Sequence, residues 1–229
     1  MSAQRDSDSV PVSSWRSARL FVTDEFAAPP VILRVDDSVV GTLGNFSAST
    51  GKAKSKKTFN VCAIVAAAMT GGTVLNYSAS LPPEKRRILY VDTEQSRFHC
   101  KRVLCRILRL AGLPADAHPP LLEFLCLRGD ATKERLRKIE EAIYDLDDLG
   151  LVVIDGIRDL AHDINRPGEA TDLITKLMQW TDERRIHIHT VLHLNKGDDN
   201  TRGHLGTELN NKAETVLQIT KDDFDRDIS

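Results

Sequence analysis

Eight consecutive residues have the types and spacing needed to hold a phosphate group. Residues 51–58, the phosphate loop, match the motif G-x-x-x-x-G-K-[ST], except that Lys56 stands where the motif has its second glycine. In such a loop, backbone N–H groups at the start of a helix face the phosphates of a nucleotide, and the positive end of the helix dipole favours the anion. We expect Lys57 to reach the terminal phosphates and the Thr58 hydroxyl to ligate Mg²⁺.

The predicted nucleotide-binding segment is this loop together with the residue that follows it. It comprises Gly51, Lys52, Ala53, Lys54, Ser55, Lys56, Lys57, Thr58 and Phe59. A side chain at position 56 either strains the loop or blocks close approach of the phosphates, or it adds another cation beside them. The sequence leaves these alternatives open. A lysine-rich, solvated surface loop is the simpler interpretation of the same residues.

Two carboxylates follow apolar stretches that are typical of buried strands. Residues 151–154 precede Asp155, which we expect to hold Mg²⁺ directly or through water. Residues 88–91 precede Asp92 and Glu94, and a carboxylate at Glu94 would orient and deprotonate the water that attacks the γ-phosphate. Open α/β sheets bind their ligands at such strand ends. The structural alternative for each of these acids is a capped turn or helix start.

Strands and helices alternate along the part of the chain that must position these residues. We predict a strand and turn at about residues 39–46 and strands at about residues 87–91, 121–127, 151–154, 186–194 and 215–219. We predict helices at about residues 59–69, 96–110, 132–146 and 168–184. This alternation predicts an α/β fold with a mostly parallel central sheet flanked by helices.

The remaining organisation is simple. We expect a flexible tail over residues 1–14 and a single domain over residues 15–229, which opens with a lead-in helix and a small hairpin before residue 40. The chain has 31 basic and 33 acidic residues, a net charge of −2, so any nucleic-acid binding must come from a local basic stripe. There is no signal peptide and no membrane-length apolar run, so we expect a cytoplasmic protein without a membrane partner.

Cysteine and histidine side chains offer two further patterns. The four cysteines form no C-x-x-C pair and predict buried thiols in a reducing compartment. His187, His189 and His193 share one face of a predicted strand. The first two lie about 13 Å or more from the third at the rise of a strand, which argues against a shared zinc ion. We therefore interpret His187 and His189 as packing or edge residues.

The order of these motifs resembles the core of RecA-type ATPases. The phosphate loop, a strand followed by Glu94, a strand followed by Asp155 and a strand ending at His193 occur in that order, and the resemblance covers about residues 40–220. The sequence is most similar to hexameric replicative helicases of the DnaB, phage gene-4 and plasmid RepA types. The resemblance implies a RecA-like P-loop fold in which Glu94, Lys57 and His193 are catalytic, with Glu94 as the base and His193 as the γ-phosphate sensor.

The same resemblance implies a nucleic-acid contact just after His193. In these helicases the corresponding loop faces a central channel and contacts the phosphates of single-stranded DNA, and Lys196 and Arg202 would be its cations here. No aromatic residue lies between them, so we expect binding without sequence specificity. Asp198 and Asp199 weaken the local field, and a solvated loop is the alternative interpretation.

Assembly is also implied by the resemblance. We expect a homo-oligomeric ring, a hexamer, with ATP and Mg²⁺ at each subunit interface. In the related helicases a further strand carries a basic finger that completes the neighbouring site. After Lys221 the only basic residue is Arg226, so we expect a truncated or minimal version of that core.

The function that the sequence predicts is a Mg²⁺·ATP-dependent motor ATPase, an enzyme that hydrolyses ATP to move on single-stranded DNA during DNA replication. Three alternatives stay open. One is a nucleotide-binding regulatory or assembly module with little or no hydrolysis, and another is a recombinase or clock-type RecA relative. The third is a degenerate loop that binds no nucleotide.

Overall fold

The computed structural model of the protein describes residues 14–16, 18–194 and 203–221. Its strands are β1 (Val31–Val35), β2 (Ser38–Thr42), β3 (Phe46–Gly51), β4 (Thr73–Val74), β5 (Tyr77–Ala79), β6 (Arg87–Asp92), β7 (Leu122–Cys126), β8 (Leu149–Asp155), β9 (His187–His193) and β10 (Thr215–Gln218). Its α-helices are α1 (Lys57–Thr70), α2 (Arg97–Leu110), α3 (Thr132–Asp145), α4 (Pro167–Arg184) and α5 (Gly203–Lys212). Six strands lie parallel in one sheet, in the order β10-β3-β9-β8-β6-β7.

Helices cover both faces of the parallel sheet. One face packs against α1 and α2, with Ile64 and Ile107 among the fully buried residues, and the other packs against α3, α4 and α5, with Ile139 and Trp180 fully buried. Helix α1 is rich in alanine and buried along most of its length, as expected of a helix that is enclosed between layers. The predicted α/β fold with a parallel sheet flanked by helices is confirmed.

A second, smaller sheet packs against α1. It is antiparallel, in the order β2-β1-β5-β4. The β1–β2 pair is the small hairpin that we predicted. The β4–β5 hairpin was not predicted, because strands of two and three residues are too short to show a periodic pattern. The predicted lead-in helix is wrong, since the helical residues described before β1 form only a 3-10 turn, Ser14–Arg16.

The carboxyl ends of four neighbouring strands meet at one edge of the parallel sheet. Strand β9 lies between β3 and β8, with His193 opposite Gly51 and Val191 opposite Asp155. On the other side of β8, Asp92 at the end of β6 is opposite Asp155. The residues that follow these strands therefore face the same edge, where open α/β sheets bind their ligands.

His187 and His189 are buried in the middle of this sheet. Ser47 Oγ lies 2.7 Å from His187 Nε2 and 2.8 Å from His189 Nδ1, and Ser49 Oγ lies 2.8 Å from His189 Nε2. Strand β9 has a neighbour on each side, so these are packing residues and not edge residues. Burial lowers the pKa of His187 to about 4 and that of His189 to about 3, because an imidazolium ion loses its hydration there.

Other expectations have mixed outcomes. All four cysteines are free, but Cys62 and Cys100 are buried while Cys105 and Cys126 are partly exposed, so the prediction of four buried thiols is half wrong. Within the described ranges, no helix has the length and apolar character to cross a membrane. Most of the predicted tail, residues 1–13, lies outside the described residues. The single-domain organisation stays a prediction.

Candidate functional site

The phosphate loop connects the end of β3 directly to the start of α1. Gly51 ends the strand at a crowded position, since a Cβ atom there would lie 2.4 Å from the carbonyl oxygen of Ile219 and 2.5 Å from Ser55 Oγ. Lys56 immediately precedes α1 with φ +65° and ψ +22°. This left-handed conformation is the one that glycine adopts freely. The loop thus keeps the backbone turn of the motif although the motif's second glycine is missing.

Lys56 therefore has both properties that the sequence left open. Its backbone is strained, by about 1–2 kcal/mol for a residue with a Cβ atom in this conformation. Its side chain also lines the cavity beside the loop, where it adds positive charge. Lys54, two residues earlier, has the same φ of +65°, so two lysines of this loop have left-handed backbones.

Lys57 is held inside the loop. Its Nζ donates hydrogen bonds to the carbonyl oxygens of Gly51 at 2.7 Å and Lys52 at 2.8 Å, and the residue is only 5% exposed. Burial lowers the pKa of its ammonium group, while the charges of Asp155 and Glu94 raise it. Lys57 is also the first residue of α1. The first N–H groups of the helix lie beside it and have no helical partners. Ammonium and amides together form a site for anions.

Thr58 and Asp155 meet across the site. Thr58 Oγ1 donates to Asp155 Oδ2 at 3.0 Å, and the hydroxyl of Tyr90 donates to the same oxygen at 2.9 Å. Burial raises the pKa of Asp155 to about 6, and the charge of Asp92 contributes to the rise. Tyr90 was missed by the sequence analysis. The available signal was a side chain with a hydroxyl group within the otherwise apolar residues 88–91.

The Thr58–Asp155 pair fits a magnesium ion. Two neighbouring ligands of octahedral Mg²⁺ at about 2.1 Å lie about 3 Å apart, which is the separation of Thr58 Oγ1 and Asp155 Oδ2. The described residues contain no cluster of three or more His, Cys, Asp or Glu side chains that could hold a metal. Mg²⁺ does not require one, since it commonly binds through one or two protein oxygens, water and substrate phosphates.

Asp92 and Glu94 have different environments. Asp92 Oδ1 accepts hydrogen bonds from the backbone N–H groups of Glu94 at 3.0 Å and Gln95 at 2.7 Å, which fixes the turn after β6. The Glu94 carboxylate lies 3.5 Å from His193 Nε2, and both side chains are about two-fifths exposed. The hydrogen bond with His193 lowers the pKa of Glu94, so Glu94 is ionised at neutral pH. The capping role thus belongs to Asp92, which leaves Glu94 facing the site.

The residue after Asp155 must be glycine. Gly156 has φ +104°, and a Cβ atom there would lie 2.2 Å from Thr93 Oγ1 and 2.9 Å from Cγ of Glu94. Thr93 Oγ1 lies 2.8 Å from the carbonyl oxygen of Gly156. The segments after β6 and β8 are thereby locked together, which fixes the spacing of Glu94 and Asp155. Sequence analysis assigned no role to Gly156 or Thr93.

Two adjoining cavities lie over these residues. The first, the loop cavity, has a volume of about 470 Å³ and is lined by Lys54, Ser55, Lys56, Lys57, Thr58, Phe59, Arg106 and His193. The second, the acidic cavity, has a volume of about 330 Å³ and is lined by Lys57, Thr58, Asp92, Glu94, Gln95, His99, Arg102, Val103, Arg106, Asp155 and His193. The catalytic and metal-binding residues that we predicted, Lys57, Thr58, Glu94, Asp155 and His193, are thus brought together.

Some predicted site residues are not part of these cavities. Gly51, Lys52 and Ala53 form the start of the loop and do not line either cavity. Lys196 and Arg202, predicted to contact nucleic acid, lie outside the described residues, as does Arg226. The sequence analysis missed His99, Arg102 and Arg106. These three residues are spaced three and four apart on α2, a spacing that places them on one face of the helix.

A parallel sheet with this loop between β3 and α1, and with Asp155 facing Thr58, defines a P-loop nucleoside triphosphatase. A family model described as an AAA domain, AAA_25, matches residues 16–199, and the chain belongs to this family. None of the curated proteins compared with the chain matches it. The family is one of P-loop ATPases related to RecA-type proteins, which supports nucleotide binding, usually with Mg²⁺. The finer resemblance to DnaB and RepA helicases stays a prediction.

Proposed function

We propose that this chain is a Mg²⁺·ATP-dependent motor ATPase of the RepA-type hexameric helicase kind, which hydrolyses ATP to move on single-stranded DNA. The observation that carries this proposal is that three contacts meet at one edge of the parallel sheet. The phosphate loop holds Lys57, Thr58 faces Asp155 at 3.0 Å, and Glu94 faces His193 at 3.5 Å. These contacts supply a loop that binds phosphates, a pair of residues that binds a metal and a base with its partner. Transfer of a phosphoryl group to water requires these three parts.

Each residue has a distinct task in the proposed reaction. Lys57 and the first amides of α1 bind the phosphates, and Thr58 and Asp155 would hold Mg²⁺, which neutralises charge on the β- and γ-phosphates when bound. Glu94, whose pKa is lowered mainly by its contact with His193, orients a water molecule and accepts its proton. Catalysis is then mainly positioning and charge stabilisation.

Coupling to movement is proposed to start at His193. This residue ends β9, pairs with Gly51 in the sheet, and lies against Glu94. The backbone N–H of Leu194 donates to the carbonyl oxygen of Gly51 at 3.1 Å. A change at the γ-phosphate that moves His193 would therefore move the chain that leads to Lys196 and Arg202, the proposed contacts with DNA. We propose a homo-oligomeric ring as the working assembly and the cytoplasm as its location.

The proposed role of Glu94 is tested with Glu94→Gln. The amide keeps the size of the side chain but is a far weaker base, so we expect ATP turnover to fall by about 100-fold or more while ATP binding is retained. The matched control is Glu84→Gln on the exposed 3-10 turn Pro83–Lys85, which should leave turnover unchanged. Wild-type turnover in Glu94→Gln would remove Glu94 from the role of base.

A second candidate function is a nucleotide-binding regulatory or assembly module with little hydrolysis. The observation that favours it is the strained left-handed backbone at Lys56, the residue immediately before α1, where the motif has a glycine that would adopt this conformation without strain. Steady-state ATPase measurements with and without single-stranded DNA separate the two functions. Multiple turnovers stimulated by DNA support the motor, and tight ATP binding without turnover supports the module.

A further inference from the structure

Arg106, on α2, lies where the two cavities of the candidate site adjoin. Four residues line both cavities, namely Lys57, Thr58, His193 and Arg106. We assign Lys57 to phosphate binding, Thr58 to metal binding and His193 to sensing of the γ-phosphate. A guanidinium group that shares both cavities with them lies on the side of the site where the terminal phosphates are expected.

The loop cavity has a strongly basic lining. Among its described lining residues are four cationic side chains, Lys54, Lys56, Lys57 and Arg106, and no carboxylate. A concave surface lined by one sign of charge concentrates ligands of the opposite sign. Of these four groups, the guanidinium of Arg106 alone offers a planar fork of donors that matches two oxygens of a phosphate.

The neighbours of Arg106 hold it in place without neutralising it. Its guanidinium carbon lies 6.0 Å from the centre of the Phe59 ring, within the range of a cation–π contact. It also contacts the thiol of Cys62, whose pKa is raised to about 12 by burial, so the thiol is uncharged. None of the ion pairs formed within the described residues includes Arg106. Arg106 therefore forms no ion pair in the part of the chain that the structure describes, although it shares the acidic cavity with the carboxylates of Asp92, Glu94 and Asp155.

We propose that Arg106 is a catalytic residue that contacts the terminal phosphates of the nucleotide bound by its own subunit. It stabilises the negative charge on the transferred γ-phosphoryl group and distinguishes a triphosphate from a diphosphate. The inference rests on the proposed ATPase function and deepens it. The chain would then supply an arginine in cis, from α2, in addition to the cations of the phosphate loop.

The test compares Arg106→Ala and Arg106→Lys with the wild type. Loss of an arginine that stabilises the transferred phosphoryl group should lower kcat by about 100-fold or more, and lysine should restore only part of it because it lacks the fork. The preference for ATP over ADP, measured by calorimetry, should shrink in Arg106→Ala. The control is Arg109→Ala, which removes an exposed arginine of the same helix that lines neither cavity and should leave both quantities unchanged.

Mixing two inactive variants tests whether Arg106 acts in cis. In a mixture of Arg106→Ala and Lys57→Ala subunits, a cis-acting Arg106 leaves every site without one of the two residues, so turnover stays absent. A trans-acting Arg106 would create intact sites at mixed interfaces and restore turnover, which would overturn the proposal. Melting curves of each variant alone show that the subunits are folded, and Arg106→Gln, which also removes the charge, replaces Arg106→Ala if the latter is not.

The outcomes separate this inference from the proposed function. Wild-type kcat and an unchanged ATP preference in Arg106→Ala would overturn the role of Arg106 and leave the ATPase intact. Absence of both ATP binding and ATP hydrolysis in the wild type would overturn the proposed function, and the role of Arg106 with it. A large loss of kcat with retained ATP binding in Arg106→Ala, together with an unaffected Arg109→Ala, supports the proposal.

Discussion

Replacing Lys56 by glycine should stabilise the protein, because residue 56 has a left-handed backbone with φ +65° and ψ +22°. For a residue with a Cβ atom this conformation costs about 1–2 kcal/mol. Glycine loses about 0.5–1 kcal/mol more conformational free energy on folding than a residue with a side chain. The expected net gain in the free energy of unfolding for Lys56→Gly is therefore about 0.5–1 kcal/mol.

The control for this prediction is Lys56→Ala. Alanine removes the cation but keeps the Cβ atom, so it retains the backbone strain and isolates the effect of charge. The free energy of unfolding is measured by urea denaturation of both variants without nucleotide. For a chain of this size, about 1 kcal/mol corresponds to a change of roughly 2–4 °C in Tm, so thermal melting provides an independent check.

One result would refute the reasoning about the loop. If Lys56→Gly is no more stable than Lys56→Ala, the strain at residue 56 does not exceed the conformational cost of glycine, about 0.5–1 kcal/mol, and the expected net gain is refuted. The same pair of variants also reports on charge, since both lack the ammonium group that lines the loop cavity. A common loss of ATP affinity in both variants is the expected sign that Lys56 acts as a phosphate-side cation.

Two further predictions concern the sheet and its edge. Because burial lowers the pKa of His187 to about 4 and that of His189 to about 3, against about 6.5 in an unfolded chain, the unfolded state binds more protons below pH 6.5, and stability falls from there towards pH 4. His189→Gln, followed by urea denaturation, should reduce this dependence by about 1 kcal/mol per pH unit between pH 6 and 5, and an unchanged slope would contradict the assignment. Gly156→Ala should cost about 2 kcal/mol or more, since its Cβ would lie 2.2 Å from Thr93 Oγ1 in a backbone with φ +104°. Gly168→Ala, in the first turn of α4 with no atom within 4 Å of the new Cβ, should be neutral or stabilising by urea denaturation, and similar losses in both alanine variants would argue against a special role for Gly156.

Much of the fold could be predicted because apolar periodicity records which face of each element is buried. The strands and helices from residue 87 to residue 184 lie within a few residues of their predicted positions. The β4–β5 hairpin and α5 could not be recognised in the same way. The strands of the hairpin are too short for a pattern, and α5 combines Gly203 and Gly206 with three asparagine and lysine residues at its end, which are weak signals for a helix.

The candidate site was predictable where a residue lies at the end of a strand or shortly after it. Glu94, Asp155 and His193 are found this way, because strand register brings the ends of β6, β8 and β9 to one edge. Tyr90 and Arg106 act through contacts made in three dimensions, across about 65 and 47 positions of sequence, respectively, to Asp155 and Phe59. No local pattern encodes such contacts. The conformation of Lys56 likewise depends on the turn from β3 into α1 and not on its residue type.

The most direct test of the central claim is the Tm of the wild type and of Lys57→Ala with and without Mg²⁺·ATP. A ligand at a hundred times its Kd stabilises the folded state by about 2.7 kcal/mol, a shift of several degrees for a chain of this size. The account predicts this shift in the wild type and its loss in Lys57→Ala, whose melting without nucleotide shows that it is folded. A folded wild type with no shift would contradict the claim that the phosphate loop binds a nucleoside triphosphate.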